Sequence, residues 1–515
     1  MIESSRTENS VRNISFGMVS QIVQLVLGFI TRTIFIKYLA VEYLGINSLF
    51  TNIISMLSLA ELGVGSAFIY SLYKPLADKN EYAIATILQF YKKVYVAIGI
   101  FIFISGLLVI PFLNDIVPAK PVSVTEDIRL LYLIFLFNSA STYFFAYKIS
   151  LLDADQKSSV SSLNTTVFLL IQNILQILIL IFTQNFIFYL LAQLICNLTS
   201  NFWISKIVDK RYAFLSKFKK EKVDKVLRNT IVGNAKATFL AKIGGALVNG
   251  TDNLIINYFV GLTLLGKFSN YVMLIAIASS FLMIIFANIK SSIANVTIKE
   301  DKQKQIELFN VMNFANFWFY GLVAVLIIIL INDFILIWIG NEFQLTINIA
   351  IMLAINFFMI GMQNAFWTFK TIYGFFEQGK YLILLTATLN LILSFIGGYH
   401  YGIFGVLLAT AIARLVTNFW YDPYIVLKLG LQVNANKYIY KFIKYIIILI
   451  VSTVLIYYGT SFLKFSIITN FIIKLILCLV VTNGLIILVF KNQPEFKKIK
   501  ELFTNSYLVL TNKMK

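Results

Sequence analysis

Residues 308–331 read LFNVMNFANFWFYGLVAVLIIILI, an apolar run of 24 residues without a charged side chain. A helix that crosses the hydrocarbon core of a membrane needs about 20 mostly apolar residues. This run therefore predicts a transmembrane helix. Thirteen further runs share its character, and together they predict an all-α polytopic membrane protein. The fourteen predicted spans are 14–39, 44–72, 90–113, 130–152, 160–182, 186–208, 231–260, 264–289, 308–331, 345–369, 381–399, 402–427, 439–462 and 465–490.

The overall composition favours the same class of protein. Of the 515 residues, 59% are apolar and 13% are charged, and the mean hydropathy is +0.82. A soluble domain is about 45–50% apolar and about 25% charged, so a soluble enzyme and a disordered chain are excluded. Cys196 and Cys478 both lie in apolar runs and predict no disulfide framework. A single histidine, His400, leaves no histidine-based metal site or triad.

The distribution of basic residues predicts the orientation. Fourteen spans place both termini on one side, and cytoplasmic termini put 34 of the 43 Lys and Arg residues in or beside inner loops and 6 outside. Cytoplasmic loops carry such an excess, so we expect a multi-pass protein of a bacterial cell membrane with both termini inside. The bias also accounts for most of the net charge of +19 without a nucleic-acid partner.

An internal repeat divides the predicted spans. A shift of 221 residues aligns Asn13 with Asn234, Leu44 with Leu265, Gly45 with Gly266 and Ser48 with Ser269. Six spans separate the copies, so both begin on the same side, as parallel repeats do. The pattern predicts two six-helix lobes plus two C-terminal helices. The predicted parts are an N-terminal lobe at 1–208, a basic cytoplasmic loop at 209–230, a C-terminal lobe at 231–427, and helices 13 and 14 with a cytoplasmic tail at 428–515.

Polar residues at helical spacing mark the first helix of each copy. Because unsatisfied polar groups do not face lipid, both stripes are expected to face protein or water, and we interpret them as lining one cleft. The alternative is ordinary helix packing through small and polar residues. The first stripe comprises Asn13, Gly17, Gln21, Gln24, Gly28 and Arg32; the second comprises Asn234, Thr238, Lys242, Gly245, Asn249, Asp252, Asn253 and Asn257.

Five charges lie deep in predicted spans, namely Arg32, Glu61, Lys242, Asp252 and Arg414. Each costs about 2.5–3.5 kcal/mol near the membrane centre on insertion scales, which favours a functional role. Depth along the helices predicts an inner pair of Glu61 with Lys242 and an outer pair of Arg32 with Asp252, which would act as two gates. The alternative is that each charge has a local partner inside its own lobe. Lys474, on the last span, is expected to snorkel or to contact a lipid head group.

Three segments resemble one family. LFTNIISMLSLAELGVGSAF (49–68), DNLIINYFVGLTLLGKFSNY (252–271) and GIFGVLLATAIARLVTNFWYDPYIV (402–426) resemble the second, seventh and twelfth helices of bacterial polysaccharide-unit flippases. Those flippases are a branch of the multidrug/oligosaccharidyl-lipid/polysaccharide exporter superfamily, whose helix plan is also similar. The resemblance implies transport of an undecaprenyl-pyrophosphate-linked oligosaccharide from the inner to the outer leaflet, for capsule or another cell-surface polysaccharide. It also implies that cations in the cleft hold the pyrophosphate.

The residues of this chain fit that implication. Arg32, Lys242 and Arg414 offer the pyrophosphate charge-assisted hydrogen bonds, and Gln21, Gln24 and Asn249 are expected to bind sugar hydroxyls. The lipid tail is expected to stay in the membrane, along spans 13 and 14. Relatives couple transport to sodium, protons or membrane potential, and Asp252, Asn390 and Thr410 form a candidate sodium site. No other cofactor is expected.

Other functions and partners stay open at this point. A multidrug exporter of the same fold would favour acidic cleft residues, whereas three of the five deep charges here are cationic. A glycan polymerase or membrane glycosyltransferase would need a long or acidic outer loop, and the first outer loop is only AVEY (40–43). The basic loop 209–230 would bind anionic lipids or a polysaccharide-assembly enzyme. The chain is expected to be a monomer, and the sequence does not identify the glycan.

Overall fold

A computed structural model describes residues 6–501, except for 62–63, 118–120, 219–223, 226, 234, 236–238, 240–249, 298–300, 376–377 and 463–464. Its residue contacts divide the chain into two compact units, Met1–Gly266 and Lys267–Lys515. Helices and no strands occur in the described ranges. The all-α prediction is therefore confirmed.

Eight helices and the start of a ninth belong to the first unit. A 3₁₀ turn, Ser58–Glu61, lies between α2 and α3. The helices are α1 (Arg6–Tyr38), α2 (Val41–Leu57), α3 (Val64–Ala77), α4 (Glu81–Leu107), α5 (Leu113–Ile116), α6 (Ile128–Ala154), α7 (Ser158–Thr183), α8 (Phe186–Arg211) and α9 (Asp252–Thr297).

The second unit contains the rest of α9 and six further helices. A short π-helical segment, Val426–Leu431, directly follows the helix that ends at Ile425. The helices are α10 (Lys302–Ile339), α11 (Ile347–Ile372), α12 (Lys380–Val416), α13 (Asn418–Ile425), α14 (Ala435–Ser461) and α15 (Ile467–Phe490). Helices α14 and α15 pack against α10 and against each other.

Polar caps define where many of these apolar helices begin. A side-chain oxygen before the first turn accepts a backbone N–H that has no partner inside the helix. This matters most at the ends of membrane helices, because lipid offers no replacement partner. The capping residues are Asn80 of α4, Asp127 of α6, Asn185 of α8, Asp301 of α10, Asn434 of α14 and Ser466 of α15.

The helices that can cross a membrane correspond closely to the predicted spans. Within the described ranges, eleven stretches are long and apolar enough. Nine match one predicted span each. The stretch Tyr381–Leu431 contains the two spans 381–399 and 402–427, and Asp252–Met283 joins the end of the span 231–260 to the span 264–289; each of these two stretches turns at a glycine. These glycines, Gly261 and Gly402, have φ values of 80° and 56° inside α9 and α12, a conformation that glycine adopts without a Cβ clash. The count of fourteen crossings stays a prediction.

The second predicted span, 44–72, is not one continuous helix. Helix α2 ends at Leu57, and the 3₁₀ turn leads towards α3. The Ser58 hydroxyl donates to the Ile54 carbonyl at 2.9 Å, a back-bond that competes with the helical ladder and bends helices. The break places Glu61 at the end of the turn rather than on a regular helix face.

The predicted repeat has a direct structural counterpart in the first unit. Ala40 and Gly261, which the 221-residue shift aligns, are both single non-helical residues before a new helical segment, with φ/ψ values of −64°/152° and 80°/174°. Beyond them, a Cβ on Gly45 would overlap the Leu262 carbonyl, and a Cβ on Gly266 would overlap the Val41 carbonyl. The two contacts are exchanged by the same shift, as an isologous contact requires.

Several charges near helix ends have local partners. Lys148 of α6 donates to Asp209 of α8 at 2.6 Å, and Lys370 of α11 donates to the buried Asp422 of α13 at 2.6 Å. Lys474 of α15 donates to Asp333 of α10 at 2.7 Å. The expectation that Lys474 snorkels is therefore wrong, because a carboxylate of the same unit is in reach.

Candidate functional site

The polar stripe of α1 has two neighbouring sides. On one side, α1 packs against α7 through side-chain hydrogen bonds: Ser20 pairs with Thr166, and Thr31 donates to Asn173. Gln24 donates to Ser20 at 3.0 Å, so this predicted sugar-binding residue takes part in helix packing. The packing alternative thus describes this side of the stripe.

The other side of α1 holds Gln21, Gly28 and Arg32. Gly28 follows Gln21 by seven residues, about two helical turns, and Arg32 follows Gly28 by four, so the three share one face. A Cβ on Gly28 would meet no atom within 4 Å, so open space lies beside this face. Gln21 is half-buried and has no hydrogen-bond partner among the described residues. We call Gln21, Gly28 and Arg32 the open strip of α1.

Arg32 is half-buried and lies beside an aromatic group of α8. It interacts electrostatically with Tyr189, whose ring packs edge-on against Phe35 at 5.2 Å and stacks on Phe186 at 5.9 Å. The aromatic packing fixes the position of the tyrosine. A guanidinium offers five donors in a planar fork, which suits phosphate and carboxylate oxygens. The site can therefore bind an anion, with a phenol hydroxyl next to it.

The predicted gate residue Glu61 lies in a group of tyrosines. Tyr95 of α4 donates to the Glu61 carboxylate at 3.0 Å. The ring of Tyr95 packs edge-on against Tyr91 at 5.0 Å and stacks on Tyr143 of α6 at 6.2 Å. Tyr91 in turn donates to the Gly65 carbonyl at 2.8 Å, beyond the break in the second span. The carboxylate is thus held at a broken helix by neutral donors.

Asp252 is the first residue of α9. An acidic side chain in the first turn of a helix is stabilised by the helix dipole. The next polar residues make hydrogen bonds within the first unit. Asn253 donates to Ser48 at 3.5 Å, and Asn257 donates to the Ile116 carbonyl at 2.6 Å. The predicted pairing of Asp252 with Arg32 stays a prediction.

Two predicted sodium ligands are brought together in the second unit. Asn390 and Thr410 are 0% and 5% exposed, and the Asn390 amide donates to the Thr410 hydroxyl at 2.8 Å. The hairpin that joins them is tight, because Gly397 and Gly405 approach so closely that a Cβ on either would overlap the backbone of the other. Asp252, the third predicted ligand, belongs to the first unit.

Arg414 is 9% exposed near the end of α12. Its carbonyl accepts the backbone N–H of Thr417 at 3.2 Å, where the chain leaves the helix, and the Thr417 and Thr386 hydroxyls are 2.7 Å apart. Two further predicted cleft residues, Lys242 and Asn249, lie outside the described residues. All assignments of these residues to substrate, gate or ion stay predictions.

Sequence reasoning missed the partners of the predicted charges. Tyr189 beside Arg32 and Tyr95 beside Glu61 are 2 of 27 tyrosines, and such a common residue type carries no signal alone. Asp422 binds Lys370 and also accepts from the Trp367 indole at 3.2 Å. Its importance could have been predicted from the sequence. It is an acid in an otherwise apolar and aromatic stretch.

Comparison with known proteins shows the fold. No protein-family profile and no curated sequence matches the chain. The solved structure of the lipid II flippase MurJ in an inward closed conformation is similar, with 17% identity, a TM-score of 0.64, and coverage of 93% of this chain and 99% of that chain. An inward-facing multidrug resistance MATE family transporter of the MOP superfamily is also similar. Its identity is 13% and its TM-score is 0.58, and the match covers 78% of this chain and 93% of that chain. A MOP superfamily transporter from Pyrococcus furiosus has 13% identity and a TM-score of 0.54, and the match covers 83% of this chain and 97% of that chain.

These likenesses establish that the chain has the fold of MOP-superfamily transporters. The three solved structures are a flippase and two transporters, not enzymes. With the eleven stretches of the described residues that are long and apolar enough to cross a membrane, they support a multi-pass membrane protein with a transporter fold.

Proposed function

We propose that this protein is a flippase that moves an undecaprenyl-pyrophosphate-linked oligosaccharide from the inner to the outer leaflet by alternating access. The product would be used for capsule or another cell-surface polysaccharide in a bacterial cell membrane. The observation that carries the proposal is the open strip of α1, where Arg32 lies half-buried beside Tyr189 and the Gln21 amide has no partner among the described residues. A guanidinium suits the pyrophosphate, and the amide and the phenol suit sugar hydroxyls.

The length of the likeness supports a flippase over a drug exporter. The lipid II flippase aligns with 93% of this chain, and the MATE transporter aligns with 78%. The likeness to the flippase therefore extends over more of this chain than the likeness to the MATE transporter does. A lipid-linked substrate needs a surface for its tail that stays in the membrane, and the proposal assigns that role to α14 and α15.

The remaining site residues take the following roles in this proposal. Arg414 and Lys242 contribute further positive charge to the pyrophosphate site, and Asn249 and Gln24 add hydrogen bonds to sugars. Glu61 and Asp252 act as gate residues that pair with Lys242 and Arg32 in alternate states. Asp252, Asn390 and Thr410 bind sodium if transport is coupled to that ion. No nucleic acid takes part, and the protein acts as a monomer.

A second candidate function is export of cationic drugs. The observation that favours it is the Glu61 site, where a carboxylate is surrounded by Tyr91, Tyr95 and Tyr143. Aromatic faces and a carboxylate attract organic cations. The solved MATE transporter shares the fold, so the fold alone does not separate the two functions. The two functions differ in the sign of the charge on the transported molecule.

Lipid analysis of cells depleted of this protein tests the proposal. We expect an undecaprenyl-pyrophosphate-linked oligosaccharide to accumulate on the inner leaflet, and mass spectrometry would also identify the glycan. Restoring the wild-type chain should clear the intermediate. An unchanged lipid profile, together with increased sensitivity to cationic drugs, would contradict the flippase proposal and support the exporter.

A further inference from the structure

A basic pocket lies at the N-terminal end of α14, the helix along which the proposed function also places the lipid tail of its substrate. It consists of two cavities of about 490 and 360 Å³ on either side of the first turns of this helix. Both cavities are lined by Lys437 and Lys441, so they adjoin at these two side chains. We call the two cavities together the α14 pocket.

The charge of the α14 pocket is positive. Lys437, Lys441 and Lys444 line it, and Glu495 is the acidic residue among its lining residues. Glu495 accepts from Lys441 at 2.6 Å. In the part of the chain that the structure describes, Lys437 and Lys444 have no ion-pair partner, and the Lys444 ammonium lies over the Tyr440 ring at 4.7 Å. Two positive charges are therefore available to an anion.

The smaller cavity adds neutral polar groups. Asn313 of α10 lines it and is 2% exposed, yet its side-chain oxygen has no hydrogen-bond partner in the described part of the chain. Asn310, one turn earlier, also lines the cavity and has no partner among the described residues. A buried amide oxygen without a donor is costly in a native structure. The pair thus calls for a ligand that brings its own hydroxyl groups.

The position along α14 places the pocket at a membrane interface. Beyond Lys444 the helix continues as YIIILIV (445–451) and is apolar enough to cross the membrane. Another face of the same helix borders an apolar groove of about 430 Å³, lined among others by Phe358, Phe442, Ile446 and Ile450. Lysines and tyrosines at a helix end lie at the level of lipid head groups. A lipid held here would have its head group at the lysines and acyl chains along α14.

We propose that the α14 pocket binds the head group of an anionic phospholipid, phosphatidylglycerol, on the side of the membrane predicted to be cytoplasmic. The phosphate binds Lys437 and Lys444, which lie seven residues apart on one face of α14. The glycerol hydroxyls donate to the Asn313 oxygen and accept from the Asn310 amide. Zwitterionic lipids lack the net charge for this site, and phosphatidic acid lacks the hydroxyls. The site does not depend on the proposed flippase function.

Native mass spectrometry of the purified full-length protein tests this assignment with phosphatidylglycerol, phosphatidic acid and phosphatidylethanolamine as probes. The wild-type chain should bind phosphatidylglycerol most tightly. The double variant Lys437→Gln/Lys444→Gln should bind it about tenfold more weakly or worse, since each lysine near a lipid surface is worth about 1 kcal/mol and 1.4 kcal/mol is tenfold. Lys491→Gln is the matched control, because Lys491 is exposed and lines neither cavity; it should bind as the wild type does.

A second variant separates the hydroxyl contact from the charge. Asn313→Leu should weaken binding of phosphatidylglycerol and leave binding of phosphatidic acid unchanged. If it does not fold, the lysine variants still decide the question. Equal affinity of the double variant and the control for phosphatidylglycerol would overturn the proposal. Displacement of the lipid by equimolar soluble glycerol phosphate would also overturn it, because the site would then recognise a free phosphate ester.

Discussion

Gly45 and Gly266 are 221 residues apart and occupy the same place in two crossing helical segments. A Cβ on Gly45 would overlap the Leu262 carbonyl, and a Cβ on Gly266 would overlap the Val41 carbonyl. The shift that aligns the two copies in sequence exchanges these two contacts. Glu42 and Thr263, which the same shift aligns, are joined by a hydrogen bond of 2.8 Å. The aligned segments 41–45 and 262–266 therefore pack in equivalent positions, and the division into two six-helix lobes stays a prediction.

Gly45→Ala tests this close crossing. The added methyl group must push the backbone of Leu262 away, so we expect a loss of stability of about 1–3 kcal/mol, the usual cost of overpacking. The measurement is thermal unfolding of the purified protein in detergent. Gly28→Ala is the control: its Cβ would meet open space, and removal of a helical glycine should raise stability by up to about 1 kcal/mol. Equal unfolding midpoints for the two variants would contradict the account of the crossing.

Asp422→Ala tests the buried ion pair of the second unit. The Asp422 and Lys370 side chains are 5% and 17% exposed, so removal of the acid leaves a largely buried ammonium without its partner. We expect a loss of about 3–5 kcal/mol, measured as a lower unfolding midpoint. Glu307→Ala breaks the pair of Lys304 and Glu307, whose side chains are 38% and 40% exposed. Such a surface pair is worth at most about 1 kcal/mol, and a loss as large as that of Asp422→Ala would refute the distinction.

Arg32→Gln and Arg414→Gln test the cationic site. Each variant should insert normally and lower transport about tenfold or more, since a hydrogen bond to a charged group contributes about 1.5–3 kcal/mol. Arg32→Lys should retain only part of the wild-type activity. The planar guanidinium of arginine can donate to two phosphate oxygens at once, whereas a lysine ammonium lacks this bidentate geometry. Lys37→Gln, an exposed cation on another face of α1, should transport normally. Normal transport in both arginine variants would exclude the cationic model.

The candidate sodium site makes a prediction about stability. A ligand that binds the folded state raises its stability, so the wild-type protein should unfold at a higher temperature in sodium than in potassium. Thr410→Val should abolish this difference. Thr386→Val is the matched control, since it removes a similar hydrogen bond, to Thr417 at 2.7 Å, outside the predicted site. If the wild-type midpoint is the same in both salts, Asn390 and Thr410 serve packing alone.

The helical fold was largely predictable because the membrane constrains the sequence so strongly. Each apolar run of sufficient length had to become a helix, and nine of the fourteen predicted spans match one helical stretch each. The turns at Gly261 and Gly402 were also expected, because polar or glycine-rich residues separate spans there. The break after Leu57 was not predicted, since it lies within an apolar run; the Ser58 hydroxyl donates to the Ile54 carbonyl there.

The site was predictable only in part. The charges stood out because they are rare in spans, and Asn390 and Thr410 are hydrogen-bonded to each other, while their role as sodium ligands stays a prediction. Their partners did not stand out. Lys474 and Asp333 are 141 residues apart, and nothing in the sequence near either residue indicates the other. The tyrosines beside Arg32 and Glu61 are positioned by ring packing, which depends on the tertiary structure.

Flipping by the purified protein is the most direct test of the proposed function. The lipid-linked oligosaccharide that accumulates on depletion would be placed in the inner leaflet of vesicles that contain this chain, and its appearance outside would be followed with a membrane-impermeant reagent. The account predicts transport by the wild-type protein and a much lower rate with Arg32→Gln. Equal rates for the wild-type protein, Arg32→Gln and empty vesicles would contradict it.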